Sequence, residues 1–174
     1  MTENGWTCGK PEHEPIKNLR DKLRNVIPSV WIEETNPHIS ILPGFEAPSD
    51  EMDELLKACE EFNKSLVGKN IEITGFHCYN ELDSEDPTFV VSLDVDINLK
   101  SIRSKQETLV QQSGGELLYE PVESHITLFK EGDGGDNNDG LTDEQKERVR
   151  SRLIELSEEA QFKTIIKSTS STRF

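Results

Sequence analysis

The sequence predicts an α+β fold in which antiparallel sheets are covered by helices packed outside, with a central cleft between two related halves. Two observations lead there. Stretches with helical spacing of apolar residues alternate along the chain with runs that alternate apolar and polar residues, as half-buried antiparallel strands do. The order of these pieces then repeats once, at a period too long for a solenoid, which points to an internal duplication within a single domain of 174 residues.

The first helix is read over residues 15–27, with Ile16, Leu19, Leu23, Val26 and Ile27 on one stripe. Strand runs at 30–33 and 38–42 follow it. The second helix is the clearest: Met52, Leu55, Leu56, Cys59, Phe62 and Leu66 keep helical spacing, with Ser49 as the expected N-cap. Strand runs at 71–79 and 89–95 lead to a third helix over 98–112, which carries Leu99, Ile102, Leu109 and Val110 and stops at Gly114-Gly115. After strand runs at 116–120 and 125–130, a fourth helix begins at Thr142, where Thr142-Asp143-Glu144-Gln145 has the capping-box pattern. That helix uses Val149, Leu153, Leu156 and Ala160, and a strand run at 162–168 closes the pattern. Residues 131–140, EGDGGDNNDG, lack the spacing of a calcium loop and read as a solvated acidic, Gly-rich loop.

The two repeated units span about 15–80 and 88–168. Trp31-Ile32-Glu33 ahead of His38-Ile39-Ser40-Ile41 matches Leu118-Tyr119-Glu120 ahead of His125-Ile126-Thr127-Leu128, with the Glu five residues before the His in both. The strand at 89–95 has no counterpart before the first helix, because MTENGWTCGKPEHEP offers no apolar strand.

Charge excludes some functions. With 19 Lys+Arg against 34 Asp+Glu the chain carries −15, so a polyanionic partner held mainly by counterion release is ruled out. Adaptation to a salty cytoplasm, a halophilic source, is a second reading of the same charge. No apolar run nears the roughly 18 residues that span a bilayer, and the start lacks the apolar core of a signal peptide. Three cysteines without CxxC spacing give neither a disulfide framework nor a zinc ribbon. A cytoplasmic monomer with no membrane or protein partner is the expectation.

Residues two apart on a strand share a face, so His38 projects with Ser40 and His125 with Thr127, while Ile39, Ile41, Ile126 and Leu128 turn into a core. Pseudo-symmetry would gather two imidazoles and two hydroxyls around one cleft. That set suits phosphodiester hydrolysis: one imidazole takes a proton from the attacking oxygen, the other gives one to the departing oxygen, and hydroxyls hold the phosphate. No metal and no cofactor is needed, and a zinc site from His38, His77 and His125 lacks ligand spacing. His77 sits on a strand run and could approach the cleft, but without a partner motif it reads as structural or exposed. Trp31 and Tyr119 read as core or as surfaces for a base, and Lys17, Arg20, Lys22 and Arg24 as a solvated face or an RNA-steering patch.

The paired H-x-[ST]-x motifs, His38-Ile39-Ser40-Ile41 and His125-Ile126-Thr127-Leu128, resemble those of the two-histidine phosphoesterase superfamily. The closest likeness is to its 2'-5' RNA ligase-like branch, the RNA 2',3'-cyclic phosphodiesterases, and it extends over most of the chain. The resemblance implies a bilobal fold with the motifs facing across a cleft, His38 as proton donor to the leaving oxygen and His125 as the base that activates water. It implies Ser40 and Thr127 as phosphate ligands, with Lys130 at a position where members carry a basic residue. On a regular strand, however, an odd offset turns Lys130 away from the face of His125. The chain departs from the family in lacking an obvious opening strand and in having Ser40 where Thr is usual. The implied substrate is an RNA end or a cyclic nucleotide. No GxxxxGK[ST] loop is present, so any 2'-5' joining would be ATP-independent, the reverse of a phosphoryl transesterification with a 5'-hydroxyl replacing water as the nucleophile. A non-catalytic nucleotide or RNA-end binding module of the same fold is the alternative.

Overall fold

Ten residues with almost no large aliphatic side chain, Thr2–Pro11, form the first strand, β1, in the interior of the sheet. The computed structural model describes residues 1–25, 32–33, 36–81, 88–131 and 142–174. The strand expected to be missing is therefore present, and its composition explains why it does not read as one. Its buried positions are Gly5, Thr7, Cys8, Gly9 and Pro11, all small, because neighbouring strands supply the bulk. A Cβ on Gly5 would lie 2.7 Å from Phe45 Cζ, and one on Gly9 would touch Ile166. The buried Thr7 hydroxyl donates to Gln106 Oε1 at 2.9 Å and accepts from Leu42 N at 3.1 Å, so its polarity is satisfied.

The remaining elements are α1 (His13–Leu23), β2 (Ile32–Glu33), β3 (Ile39–Pro48), α2 (Met52–Asn63), β4 (Asn70–Glu81), β5 (Thr88–Asp96), α3 (Lys100–Gln112), β6 (Glu116–Leu117), β7 (His125–Lys130), α4 (Asp143–Glu155) and β8 (Phe162–Arg173). Among the described residues the strands form one antiparallel sheet in the order β2-β7-β5-β4-β8-β1-β3-β6. β8 joins its halves: Phe162 to Ile165 pair with β4, and Ile166 to Arg173 pair with β1. If the set β1-α1-β2-β3-α2-β4 is exchanged for β5-α3-β6-β7-α4-β8, the strand order maps onto its own reverse. In that exchange β1 is the counterpart of β5.

The helices cover the sheet through two cores. The larger joins Ile16, Leu19 and Leu23 of α1 and Val149 and Leu153 of α4 to strand residues such as Ile71, Leu93 and Ile126. The smaller packs Met52, Leu55 and Cys59 of α2 and Val110 of α3 against Leu42, Phe45 and Ala47 of β3. Among the described residues no helix is long and apolar enough to cross a membrane.

Several boundaries differ from the sequence reading. Ser49 does not cap α2; its Oγ donates to Met1 O at 3.1 Å, and Glu51 precedes the helix without a side-chain cap. The strand expected at 116–120 shrinks to Glu116–Leu117, after which Leu118 N donates to Gly44 O at 2.8 Å and Tyr119 is exposed. β3 runs on through Pro43-Gly44 to Pro48, and β8 to Arg173. The capping box forms: Gln145 N donates to Thr142 Oγ1 at 3.2 Å and Thr142 N to Gln145 Oε1 at 2.9 Å. Val26, Ile27 and Trp31 and most of the 131–140 loop lie outside the described residues.

Candidate active site

His38 stands one residue before β3 and His125 opens β7, and the two rings are anchored alike. His38 Nδ1 lies 3.0 Å from the carbonyl oxygen of Asn36, and His125 Nδ1 lies 3.0 Å from that of Glu123, in each case two residues upstream. A carbonyl only accepts, so Nδ1 carries the hydrogen in both rings and Nε2 is the nitrogen left for proton exchange. Tyr79 Oη lies 3.4 Å from His125 Nε2, with the rings edge to face at 5.9 Å. The His38 ring packs edge to face on Trp6 at 4.9 Å.

The strand register assigns the faces. Across β5, Asp94 pairs with His125 and Ser92 with Thr127, then Val91 pairs with Phe129 and Val90 with Lys130, so β7 bulges at Leu128. Cross-strand partners share a face, and Val90, Ser92 and Asp94 share one face of β5. Lys130 therefore lies on the face of His125 and Thr127, which corrects the expectation for a regular strand: the extra residue in the bulge restores the alternation. β3 bulges at the matching place, since Cys8 pairs with Ser40 and Thr7 with Leu42, passing over Ile41. The position that matches Lys130 is Pro43, so the lysine belongs to one motif only.

The two motif strands belong to opposite halves of the sheet, and β3 and β7 approach within 8 Å at their Cα atoms. Arg103 of α3 bridges them. Its Nε donates to Ile41 O at 2.7 Å, and its Nη2 to Ser40 O at 2.9 Å and Ser124 Oγ at 3.5 Å. Burial pulls its pKa below the ordinary value of an arginine.

A cavity of about 500 Å³ opens beside His125, walled by His77, Tyr79, Asp94, Val122 and Glu123. His77 shares the face of Ser92 and Thr127, and its Nδ1 is 3.9 Å from Asp94 Oδ1. Cys8, beside Ser40, is no nucleophile, because burial pushes its thiol up to about 11. Among the described residues no three His, Cys, Asp or Glu side chains converge as a metal site requires. The basic residues of α1 are largely engaged elsewhere. Lys17 and Arg24 pair with Asp21, Lys22 pairs with Glu159, and Arg20 is buried, which weakens α1 as an RNA-steering patch.

Trp6, Tyr79 and Arg103 escape the sequence reading. Trp6 sits in the strand that composition hides. Tyr79 could have been found from its two-residue spacing to His77 on an alternating strand, and Arg103 from its place one turn before Gln106 on the inner stripe of α3.

A continuous antiparallel sheet with two matching histidine strands in opposite halves defines the fold. Particular solved structures share it. The chain matches Usb1 of Kluyveromyces marxianus at 11% identity over 99% of this chain and 98% of that one, with a TM-score of 0.53. It matches Escherichia coli LigT in its apo form at 12% identity over 99% and 95% of the two chains, TM-score 0.52. LigT complexed with 3'-AMP matches at 12% identity over 100% and 96%, TM-score 0.51. No family model and no curated protein matches the sequence.

Proposed function

We propose that the protein is a metal-independent phosphoesterase that opens a 2',3'-cyclic phosphate, on an RNA end or a nucleotide, to a monophosphate. One observation carries the reading: both histidines fix Nδ1 on the carbonyl two residues upstream, which leaves two Nε2 atoms for proton transfer on opposed strands. A water oxygen attacks phosphorus and gives its proton to His125 Nε2. The bond from phosphorus to one ribose oxygen breaks, and that oxygen takes the proton from His38 Nε2. Ser40 and Thr127 donate to the non-bridging oxygens, and the Lys130 ammonium stands on the same face to offset charge that gathers there. With a 5'-hydroxyl in place of water, attack that breaks the bond from phosphorus to the 3'-oxygen, which takes the proton from His38 Nε2, gives ATP-independent 2'-5' joining. Fold likeness to Usb1 and to LigT, which was crystallised with 3'-AMP, supports a nucleotide phosphate as ligand.

The test is turnover of nucleoside 2',3'-cyclic phosphates and of oligonucleotides that end in one, with and without chelator. His38→Ala and His125→Ala are each expected to lower kcat by at least about 100-fold in a folded protein. Near-wild-type rates in both variants would refute the reading. Binding of nucleotide without turnover by the wild type would instead establish a binding module.

A further inference from the structure

We infer that Arg103 is a positioning residue whose guanidinium sets the placement of one histidine motif against the other. The inference rests on the reading of His38 and His125 as an acid–base pair. It comes from where the bonds of Arg103 end. Two of them reach Ile41 O and Ser40 O, at 2.7 and 2.9 Å, where β3 bulges just after His38. Successive carbonyls of a regular strand point to opposite edges; a bulge lets neighbouring ones turn the same way, and here both meet one planar fork. The third bond, to Ser124 Oγ at 3.5 Å, reaches the residue immediately before His125. Ser124 is also held from the sheet side, since Val95 N donates to its carbonyl at 3.2 Å. One guanidinium thus ties the residue two after His38 to the residue one before His125.

Two further features separate this from ordinary surface pairing. In a chain with 34 acidic residues, Arg103 pairs with no carboxylate among the described residues; its three acceptors are neutral, two on β3 and the third, Ser124, immediately ahead of β7. The same face of α3 also steadies the next residue of β3, because Gln106 accepts from Thr7 Oγ1 at 2.9 Å and that hydroxyl accepts from Leu42 N at 3.1 Å. Helix α3 therefore holds the bulge of β3 across residues 40 to 42 and reaches the other motif from the same turn. A lysine could not reproduce this, since an ammonium lacks the planar fork that meets two carbonyls at once.

Steady-state kinetics on a nucleoside 2',3'-cyclic phosphate tests the inference in Arg103→Met, Arg103→Ala, Arg103→Lys and Ser124→Ala, with Arg148→Met as control. Arg148 is an exposed residue paired with Glu144 on α4. Misplacing one reacting group by about 1 Å costs on the order of 100-fold, so Arg103→Met is expected to lose about that factor in kcat with KM within about twofold. Arg103→Lys should recover only a small part, guanidinium ion at millimolar levels should partly rescue Arg103→Ala, and Ser124→Ala should lose a few-fold. A folded Arg103→Met with wild-type kcat overturns the inference. So does a loss confined to KM, which would make the guanidinium a substrate contact. If Arg103→Met does not fold, wild-type kcat in Arg103→Lys together with Ser124→Ala overturns it equally. If the wild type turns over no cyclic phosphate, the proposed activity fails, and histidine ring NMR decides the inference alone. The His38 and His125 ring signals should then both move in Ser124→Ala and Arg103→Lys, and unchanged signals in both variants overturn it.

Discussion

Two buried thiols should make stability fall steeply in mild alkali. Cys8 in β1 and Cys59 in α2 are 1% and 0% exposed. Burial pushes them from the ordinary 9.0 up to about 11 and about 12 respectively. Below pH 9 both states keep the proton, and the thiols add no pH dependence. Above it the unfolded chain ionises while the folded one cannot, so the unfolded state binds fewer protons and stability drops with rising pH until the folded thiols titrate. Each pH unit in that window costs about 1.4 kcal/mol per thiol, hence roughly 3 kcal/mol for the pair at pH 10, a large share of the usual 5–15 kcal/mol. Urea unfolding at pH 8 and pH 10, under reductant, measures this in the wild type and in a Cys8→Ala/Cys59→Ala double variant. The double variant should start weaker because of its cavities, yet lose less between the two pH values. With a slope of about 1–3 kcal/mol per molar urea, the wild-type midpoint should fall about 1–3 M further than that of the variant. Equal falls in both proteins would refute the reasoning.

Two other outcomes test the sheet. Lys130→Met should lower kcat/KM for a cyclic phosphate by about tenfold, because the bulge at Leu128 sets Lys130 on the face of His125; an unchanged value would mean the ammonium lies beyond reach of the phosphate. Gly115→Ala should cost about 1–3 kcal/mol in a thermal melt, since its Cβ would lie 2.3 Å from the backbone oxygen of Glu46, where β3 is fixed against β6. Gly75→Ala, whose Cβ meets nothing within 4 Å, should melt near the wild type and serves as the control.

What the sequence makes legible follows from what each signal reports. Apolar stripes such as Met52, Leu55 and Cys59 report one face of an element against a core, so α2 is plain from residue spacing alone. The Thr142 capping box is a purely local bond pattern and forms as read. The histidine motifs show themselves because they occur twice in the same frame. β1 stays hidden because its burial is supplied by Phe45 and Ile166 from neighbouring strands, and composition reports only a residue's own side chain. The bulges at Ile41 and Leu128 are properties of a pairing between distant strands, so no window of one strand contains them. Arg103 falls on the stripe of Leu99 and Val110, but only the fold lays β3 beneath it and so gives its guanidinium a role.

The interleaving of strands also constrains how such a chain could have begun. β1 and β3 of the first set are neighbours, but β2 and β4 lie in the other half of the sheet, flanking β7 and β5 of the second set. A chain with one set alone could complete neither half of that order by itself. It could do so only by lending its second and fourth strands to another copy and receiving the same two in return. In strand order, the single chain thus has the topology that a strand-exchanged pair of such sets would have, joined covalently.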